Sequence, residues 1–260
     1  MSEQKRALPQ SFPSSKPEMS RVVEMAEWTP ESAKQIALHL EGESPEVVLH
    51  WGFENFAPSI VMATGFGPEG IVLMHLVSEM RPETVVFYLD TDLLFSHTYE
   101  LRDELVRRLG IRFERVHSGI SLPEQALRHG DKLWDRDPDT CCHVRKVIPQ
   151  RQFLAGYNAW ITGIRRDQTA FRANTGLVEW DYANKMIKLN PLAAWTNDQV
   201  WEHIKEHDLP YNPLHDYGYP SIGCWTCTKA VEPGQDPRSG RWAGNAKTEC
   251  GIHLPSIQKQ

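Results

Sequence analysis

Three apolar runs in this chain stop at turns marked by glycine or aspartate, and that rhythm narrows the folds open to it. Ser59-Ile60-Val61-Met62-Ala63 leads into Thr64-Gly65-Phe66-Gly67-Pro68-Glu69-Gly70, Thr84 to Leu89 ends at Asp90-Thr91, and Ala159 to Thr162 ends at Gly163. The second run is apolar on both faces, as a buried parallel strand should be. A helix is expected from Ser96 to Leu109, closed by Gly110, with a further strand over Ile111 to Val116. Upstream, Thr29 can cap and Pro30 can open a helix whose Ala33, Ile36, Ala37 and Leu40 repeat at helix spacing, and a second helix covers Glu46 to Phe56. Alternating strands and helices predict an α/β fold with a doubly wound, mostly parallel sheet. In such a sheet ligands bind beyond the carboxyl ends of the strands, where the turns Thr64–Gly70, Leu89–Thr91 and Gly163–Arg166 converge. Thr196 and Gln199 form a capping box for a helix carrying Val200 and Ile204, and the nine tryptophans are expected to pack the core.

The Thr64 loop has a physical use. Gly65 and Gly67 let backbone approach an anion closely, and the helix opened by Pro68 directs its positive end at the same point. Plain turns also use glycines, and the loop matches neither the Walker pattern nor a dinucleotide fingerprint.

With 260 residues and 40% apolar content, the chain can bury a full core as one large α/β domain or two small ones. No apolar run approaches membrane-spanning length, so no membrane partner is expected. A net charge of −6 argues against a general nucleic-acid binder. The C-terminal segment is locally basic, because Lys229, Arg238, Arg241 and Lys247 outnumber Glu232 and Asp236, and this suits an anionic small molecule. Three regions are expected: a flexible arm over 1–20, an α/β domain over 21–210 that carries the three turns, and a C-terminal segment over 211–260. The first residues are polar and resemble no secretory signal, so a reducing cytoplasm is the expected setting and structural disulfides are not.

Five cysteines remain to be explained. Cys224-Trp225-Thr226-Cys227 has the spacing at which two thiolates face one metal or iron-sulfur centre. Adjacent side chains normally diverge, so Cys141-Cys142 makes sense chiefly if a polynuclear centre offers each a separate iron, which favours a cluster over lone zinc. For Cys250, spacing leaves a small buried hydrophobe and a reactive thiol equally open.

Thr64-Gly-Phe-Gly-Pro-Glu-Gly70, Leu89-Asp90-Thr91, Ile161-Thr-Gly-Ile-Arg-Arg-Asp-Gln168, Leu189-Asn-Pro-Leu192 and Glu249-Cys-Gly-Ile-His-Leu254 together resemble the assimilatory sulfonucleotide reductases, over most of the chain from Ile60 to Leu254. The resemblance implies an adenine nucleotide alpha hydrolase-like fold of the PP-loop superfamily with a mobile C-terminal tail. The two cysteine pairs resemble the subgroup that carries a four-iron four-sulfur (4Fe-4S) cluster on Cys141, Cys142, Cys224 and Cys227 and prefers adenosine 5′-phosphosulfate. Cys250 would then be the nucleophile, forming an S-sulfonate that thioredoxin resolves to sulfite. Arg172, Arg238 and Arg241 would bind the phosphosulfate, Lys146 would bridge the electrostatics of cluster and substrate, and His253 would contact substrate. Thr64, Gly65, Phe66, Gly67, Leu89 and Gly163 would contact the nucleotide. Thr64 stands where serine is more typical, and Gly70 where the ATP-using superfamily favours an acidic or hydroxyl residue. Two alternatives stay open: a reductase of the 3′-phosphorylated sulfonucleotide, and a zinc-bound nucleotide-binding module acting in adenylation or RNA modification. A homo-oligomer is compatible with all three.

Overall fold

Apolar runs that are buried on both sides make the centre of the sheet. In the computed structural model, which describes residues 28–245, 247 and 249–253, strand β1 (Ile60–Thr64) lies between β2 (Val85–Asp90) and β4 (Ala159–Ile161), both parallel to it. The full order is β3-β2-β1-β4-β6-β5, with β3 over Arg112–His117, β5 over Val178–Asp181 and β6 over Met186–Leu189. All neighbours run parallel except β5, which turns back antiparallel onto β6 and closes one edge. The other edge, β3, is mostly exposed and carries Arg112, Glu114 and Arg115, charges that discourage pairing with another chain.

The helices form where the sequence signals them. α1 (Pro30–Leu40) starts at a capping box made by Thr29 and Ser32, and α2 (Pro45–Phe56) is capped by Ser44. α3 (Pro68–Met80) begins directly after the loop that follows β1. α4 (Ser96–Leu109) ends at Gly110 with φ 65°, a left-handed conformation that favours glycine. α9 (Asn197–Glu206) starts at the capping box of Thr196 and Gln199 and packs Val200 and Ile204 inward. One core cluster joins α2, α3 and α9 to one face of the sheet through residues such as Leu49, Ile71, Met74, Leu189 and Val200. A smaller one on the opposite face collects Val61, Phe87, Leu154 and Trp160.

Between β3 and β4 lie α5 (Leu122–His129), α6 (Leu133–Arg136), α7 (Pro138–Cys142) and α8 (Ile148–Leu154). α7 and α8 are joined without a break by one π-helical turn, His143–Val147. The tryptophan expectation needs correction. Trp160 and Trp242 are buried, but Trp28, Trp51, Trp180, Trp195 and Trp201 sit half-buried at the margin of the core and Trp225 is 52% exposed. Their rings are too large for a sheet already filled by aliphatic side chains, so they cover its rim.

The arm over 1–20 and Leu254 lie outside the described residues. The C-terminal segment is tied into the rest of the protein: Leu94, just past β2, pairs with Cys224, and the Trp225 amide donates to the Leu93 carbonyl at 2.8 Å.

Candidate active site

The ends of β1, β2 and β4 bring three short turns together, and each is shaped by a close contact. Thr64 closes β1, and its Oγ1 accepts the Phe66 amide at 3.0 Å. Phe66 has φ 60°, strained for a residue with a side chain. Its ring is buried between Tyr88 and Phe113, so only its backbone can face a ligand. A Cβ on Gly70 would lie 2.6 Å from Thr64 Oγ1, and one on Gly163 would lie 2.9 Å from Glu69 Cβ. Both glycines allow elements to touch. Gly65 differs: a Cβ there would meet none of the described residues within 4 Å, which leaves open space beside the backbone at the start of α3. Gly67 is the N-cap of that helix and Leu89 is half-buried near the end of β2.

A chain of polar contacts runs from this loop to the C-terminal tail. Glu69 accepts from Arg165 Nε and Gln168 Nε2, both at 2.9 Å. Gln168 in turn accepts from Arg172 Nη1. Arg172 then grips Glu249 with Nε at 3.0 Å and Nη2 at 2.8 Å. Arg238 reaches the same carboxylate at 3.4 Å. Glu249 is the residue before Cys250, so two of the predicted anion-binding arginines converge where the predicted nucleophile is attached. Burial lowers the Arg238 pKa, opposed by Glu249 and reinforced by neighbouring Arg172 and Arg241. His253 stacks on Trp160 of β4, with ring centroids 5.6 Å apart and planes 11° from parallel. Burial, with Lys188, Arg172 and Arg238 nearby, holds its pKa well below that of a free imidazole. The described tail is thus docked.

The four remaining cysteines come together, and one of them, Cys142, is an electrostatic neighbour of Cys250. They line one cavity together with Thr91, Leu93, Pro138, Arg145, Lys146 and Thr226. Cys141, Cys142 and Cys224 are buried and Cys227 is half-buried. Thr91 Oγ1 lies 3.2 Å from Cys224 Sγ, and the Cys227 amide donates to the Cys224 carbonyl at 3.0 Å, so backbone and strand end both fix the second pair. Burial pushes the thiols of Cys141 and Cys142 up, to about 12 and about 11, and the other cysteines push Cys141 further in the same direction. Cys224 shifts the opposite way: burial works against its thiolate, but Lys146, the Thr91 hydroxyl and Arg241 outweigh it.

Such a gathering of thiols fits a metal centre that removes their protons. The surrounding charge fits an anionic one. Arg145 is fully buried and donates to Gln125, the Thr91 carbonyl and Asp92, yet its Nη2 has no partner among the described residues and the residue lines the cavity. Lys146 is an electrostatic neighbour of Cys142, Cys224 and Cys250 at once. Arg241 sits on the cysteine side, over the Trp242 ring at 4.7 Å and bonded to Ser221 and the Ile222 carbonyl.

Sequence patterns single out neither Arg145 nor Glu249 as a site residue. Arg145 carries no signal of its burial. Glu249 stands inside the tail motif, where a carboxylate between basic residues is a clue to pairing.

Comparison with known proteins settles the class. The phosphoadenosine phosphosulfate reductase domain matches residues 59–230. The chain belongs to this family. It is 49% identical to adenosine 5′-phosphosulfate reductase of Salinibacter ruber, over 87% of this chain and 90% of that protein. It is 45% identical to phosphoadenosine 5′-phosphosulfate reductase of Gloeobacter violaceus, over 85% of this chain and 92% of that protein. Among solved structures, phosphoadenylyl-sulfate reductase from Candida auris superposes with a TM-score of 0.68 at 31% identity, covering 79% of this chain and 98% of that one. Candida glabrata FMN adenylyltransferase, at 16% identity, 80% coverage of each chain and a TM-score of 0.54, shares the fold. Family membership makes this chain an oxidoreductase acting on sulfur groups, and the mostly parallel α/β architecture is the one expected of it. Among the described residues, no helix is long and apolar enough to cross a membrane.

Proposed function

We propose that the protein reduces adenosine 5′-phosphosulfate to sulfite and AMP, with Cys250 as nucleophile. The observation that carries this is the position of Cys250 between two charged groups: Arg172 and Arg238 on the residue before it, and Lys146 beside the cysteine-lined cavity. The adenylate would lie over the open backbone at Gly65, with its phosphate at the N-terminus of α3 and Leu89 and Gly163 along its edges. Arg172, Arg238 and Lys146 would hold the sulfate oxygens, and His253 would contact substrate from the tail.

The Cys250 thiolate attacks the substrate sulfur, the bond from that sulfur to the bridging oxygen breaks, and AMP leaves with the electron pair. An S-sulfonate remains on Cys250. A dithiol of the thioredoxin class then attacks Cys250 Sγ, expelling sulfite with the S–S electron pair. The mixed disulfide is closed by the donor's second thiol, which returns Cys250 as a thiolate. Sulfur is reduced by two electrons and the dithiol is oxidised by two.

A four-iron four-sulfur cluster would be held by Cys141, Cys142, Cys224 and Cys227. When bound, it would supply a fixed anionic charge that positions Lys146 and Arg145, and the net electrons would come from the dithiol. Lone zinc suits the site less well, because adjacent Cys141 and Cys142 are both buried toward the cavity and the unpartnered Arg145 Nη2 calls for a further acceptor. The free thiols of this arrangement fit a reducing cytoplasm. We also assign the 211–260 segment as the part that closes the site on a core spanning 21–210.

The test is sulfite release by anaerobically purified protein with reduced thioredoxin and each sulfonucleotide in turn. Activity on adenosine 5′-phosphosulfate that disappears in Cys250→Ser supports the proposal. Preference for the 3′-phosphorylated form would instead support the activity named for the Gloeobacter relative, and activity on neither would overturn both.

A further inference from the structure

A group of histidines on the helical face of the protein belongs to none of this chemistry. His75 lies two turns into α3 and is 8% exposed, while His203 and His207 stand one turn apart at the end of α9. One nitrogen from each falls within 4.8 Å of the others. His75 Nδ1 and His203 Nε2 are 3.1 Å apart. Two nitrogens bound tetrahedrally to zinc, each at about 2.0–2.1 Å, would be separated by roughly 3.3 Å, so this pair already has nearly the required spacing.

We infer that His75, His203 and His207 form a binding site for a divalent transition metal ion, with zinc as the chemically favoured occupant. Histidines four apart on a helix present two imidazoles to one point, and the third comes from a neighbouring helix packed against it. His207 is exposed, and its ring already packs on the other two, with centroids 4.5 Å from His75 and 4.4 Å from His203. Three imidazoles leave one position of a tetrahedral ion for water, the donor set expected of zinc rather than of calcium or magnesium.

The second nitrogen of His75 supports the assignment. Its Nε2 lies 3.5 Å from Glu79 Oε1, one turn further along α3. The contact sets a carboxylate beside Nε2 and leaves Nδ1 as the nitrogen that faces His203, the arrangement in which an outer carboxylate supports a ligating imidazole. Burial lowers the pKa of both His75 and His203, with His207 acting in the same direction while Glu79 opposes it at His75 and Glu46 and Glu206 oppose it at His203. Bound metal would fasten α3, whose first turn shapes the Thr64 loop, to α9.

The full-length protein, purified with its iron retained, is equilibrated with Zn2+ by dialysis, and zinc and iron per chain are measured together with Tm. The wild type is expected to hold one zinc more than His207→Gln or His203→Gln at equal iron content, and its Tm should rise with Zn2+ where that of His207→Gln does not. Glu79→Gln should raise the half-saturating zinc concentration by about tenfold to a hundredfold. His207 is exposed, so its replacement leaves folding intact and any lost zinc reports on ligation. Equal zinc content and an equal Tm response in the wild type and both histidine variants would overturn the site and leave a hydrogen-bonded imidazole cluster. The comparison is between proteins with the same cysteines, so its outcome is separate from that of the sulfite assay.

Discussion

Arg172 holds Glu249 through two nitrogens, at 3.0 and 2.8 Å, and thereby fixes the residue that precedes Cys250 to the turn after β4. The pair is buried on both sides. Because the same guanidinium is proposed to bind substrate, the carboxylate and the sulfonucleotide would share it.

Glu249→Gln should therefore loosen the tail. Charge-assisted hydrogen bonds contribute about 1.5–3 kcal/mol each to such a contact, and neutral amide cannot replace them on two arginines. Hydrogen exchange at 249–253 is expected to speed up while the sheet stays protected. Unchanged protection of the tail would mean that His253 on Trp160 suffices to dock it.

Gly70→Ala separates two opposed effects. In a helix interior alanine is favoured over glycine by about 1 kcal/mol. Here its Cβ would sit 2.6 Å from Thr64 Oγ1, an atom pinned by the Phe66 amide, and overpacking of this kind costs about 1–3 kcal/mol. Net destabilisation is expected in urea unfolding, and a stabilised variant would show that the Thr64 hydroxyl can turn away.

Gly65→Ala should behave differently. Nothing among the described residues obstructs the new methyl, so Tm should stay within a degree or so of wild type, as for other substitutions worth less than about 0.5 kcal/mol. If the nucleotide lies over this backbone, KM for the sulfonucleotide rises. A normal KM would move the nucleotide elsewhere.

Asp90 gives a pH test. Burial would raise its carboxyl pKa, but hydrogen bonds from Tyr99 at 2.7 Å, Arg115 at 2.6 Å and the Asp92 amide at 3.0 Å outweigh it and hold the value below the ordinary 3.8. A depressed folded-state value means that the stabilisation is fully present above the unfolded-state value and is lost as pH falls through the folded one. Arg115 is half exposed and contributes little, so Asp90→Asn should cost about 2 kcal/mol near neutrality. The Tm difference between wild type and variant should close below pH 3.8. A difference that persists there would assign the effect to packing.

The long, strongly patterned elements are legible in the sequence. α4 is delimited by Ser96 and Gly110 because only the glycine takes the left-handed conformation easily, and the three strand ends mark the site because apolar runs stop there. The β5–β6 hairpin escapes such patterns, since four-residue strands give no period to count. The four short helices between β3 and β4 escape for the same reason. Within the site, the cysteine pairs announce themselves by spacing. Arg145 and the histidine group do not, because their partners lie far away in sequence and only packing brings them together.

The π turn from His143 to Val147 has a consequence for the register of the cysteines. A π turn accommodates one residue more than an α turn would over the same stretch. If the same residues were all wound as a regular α-helix, α7 and α8 would merge and everything before the turn would be rotated by about 100° about the common axis. Cys141 and Cys142 would swing away from Cys224 and Cys227 while Leu154 kept its place in the core. Helix content would be preserved and the four-thiol centre dismantled, so the irregular turn acts as the key that sets the angular phase of two sulfur atoms against the sheet.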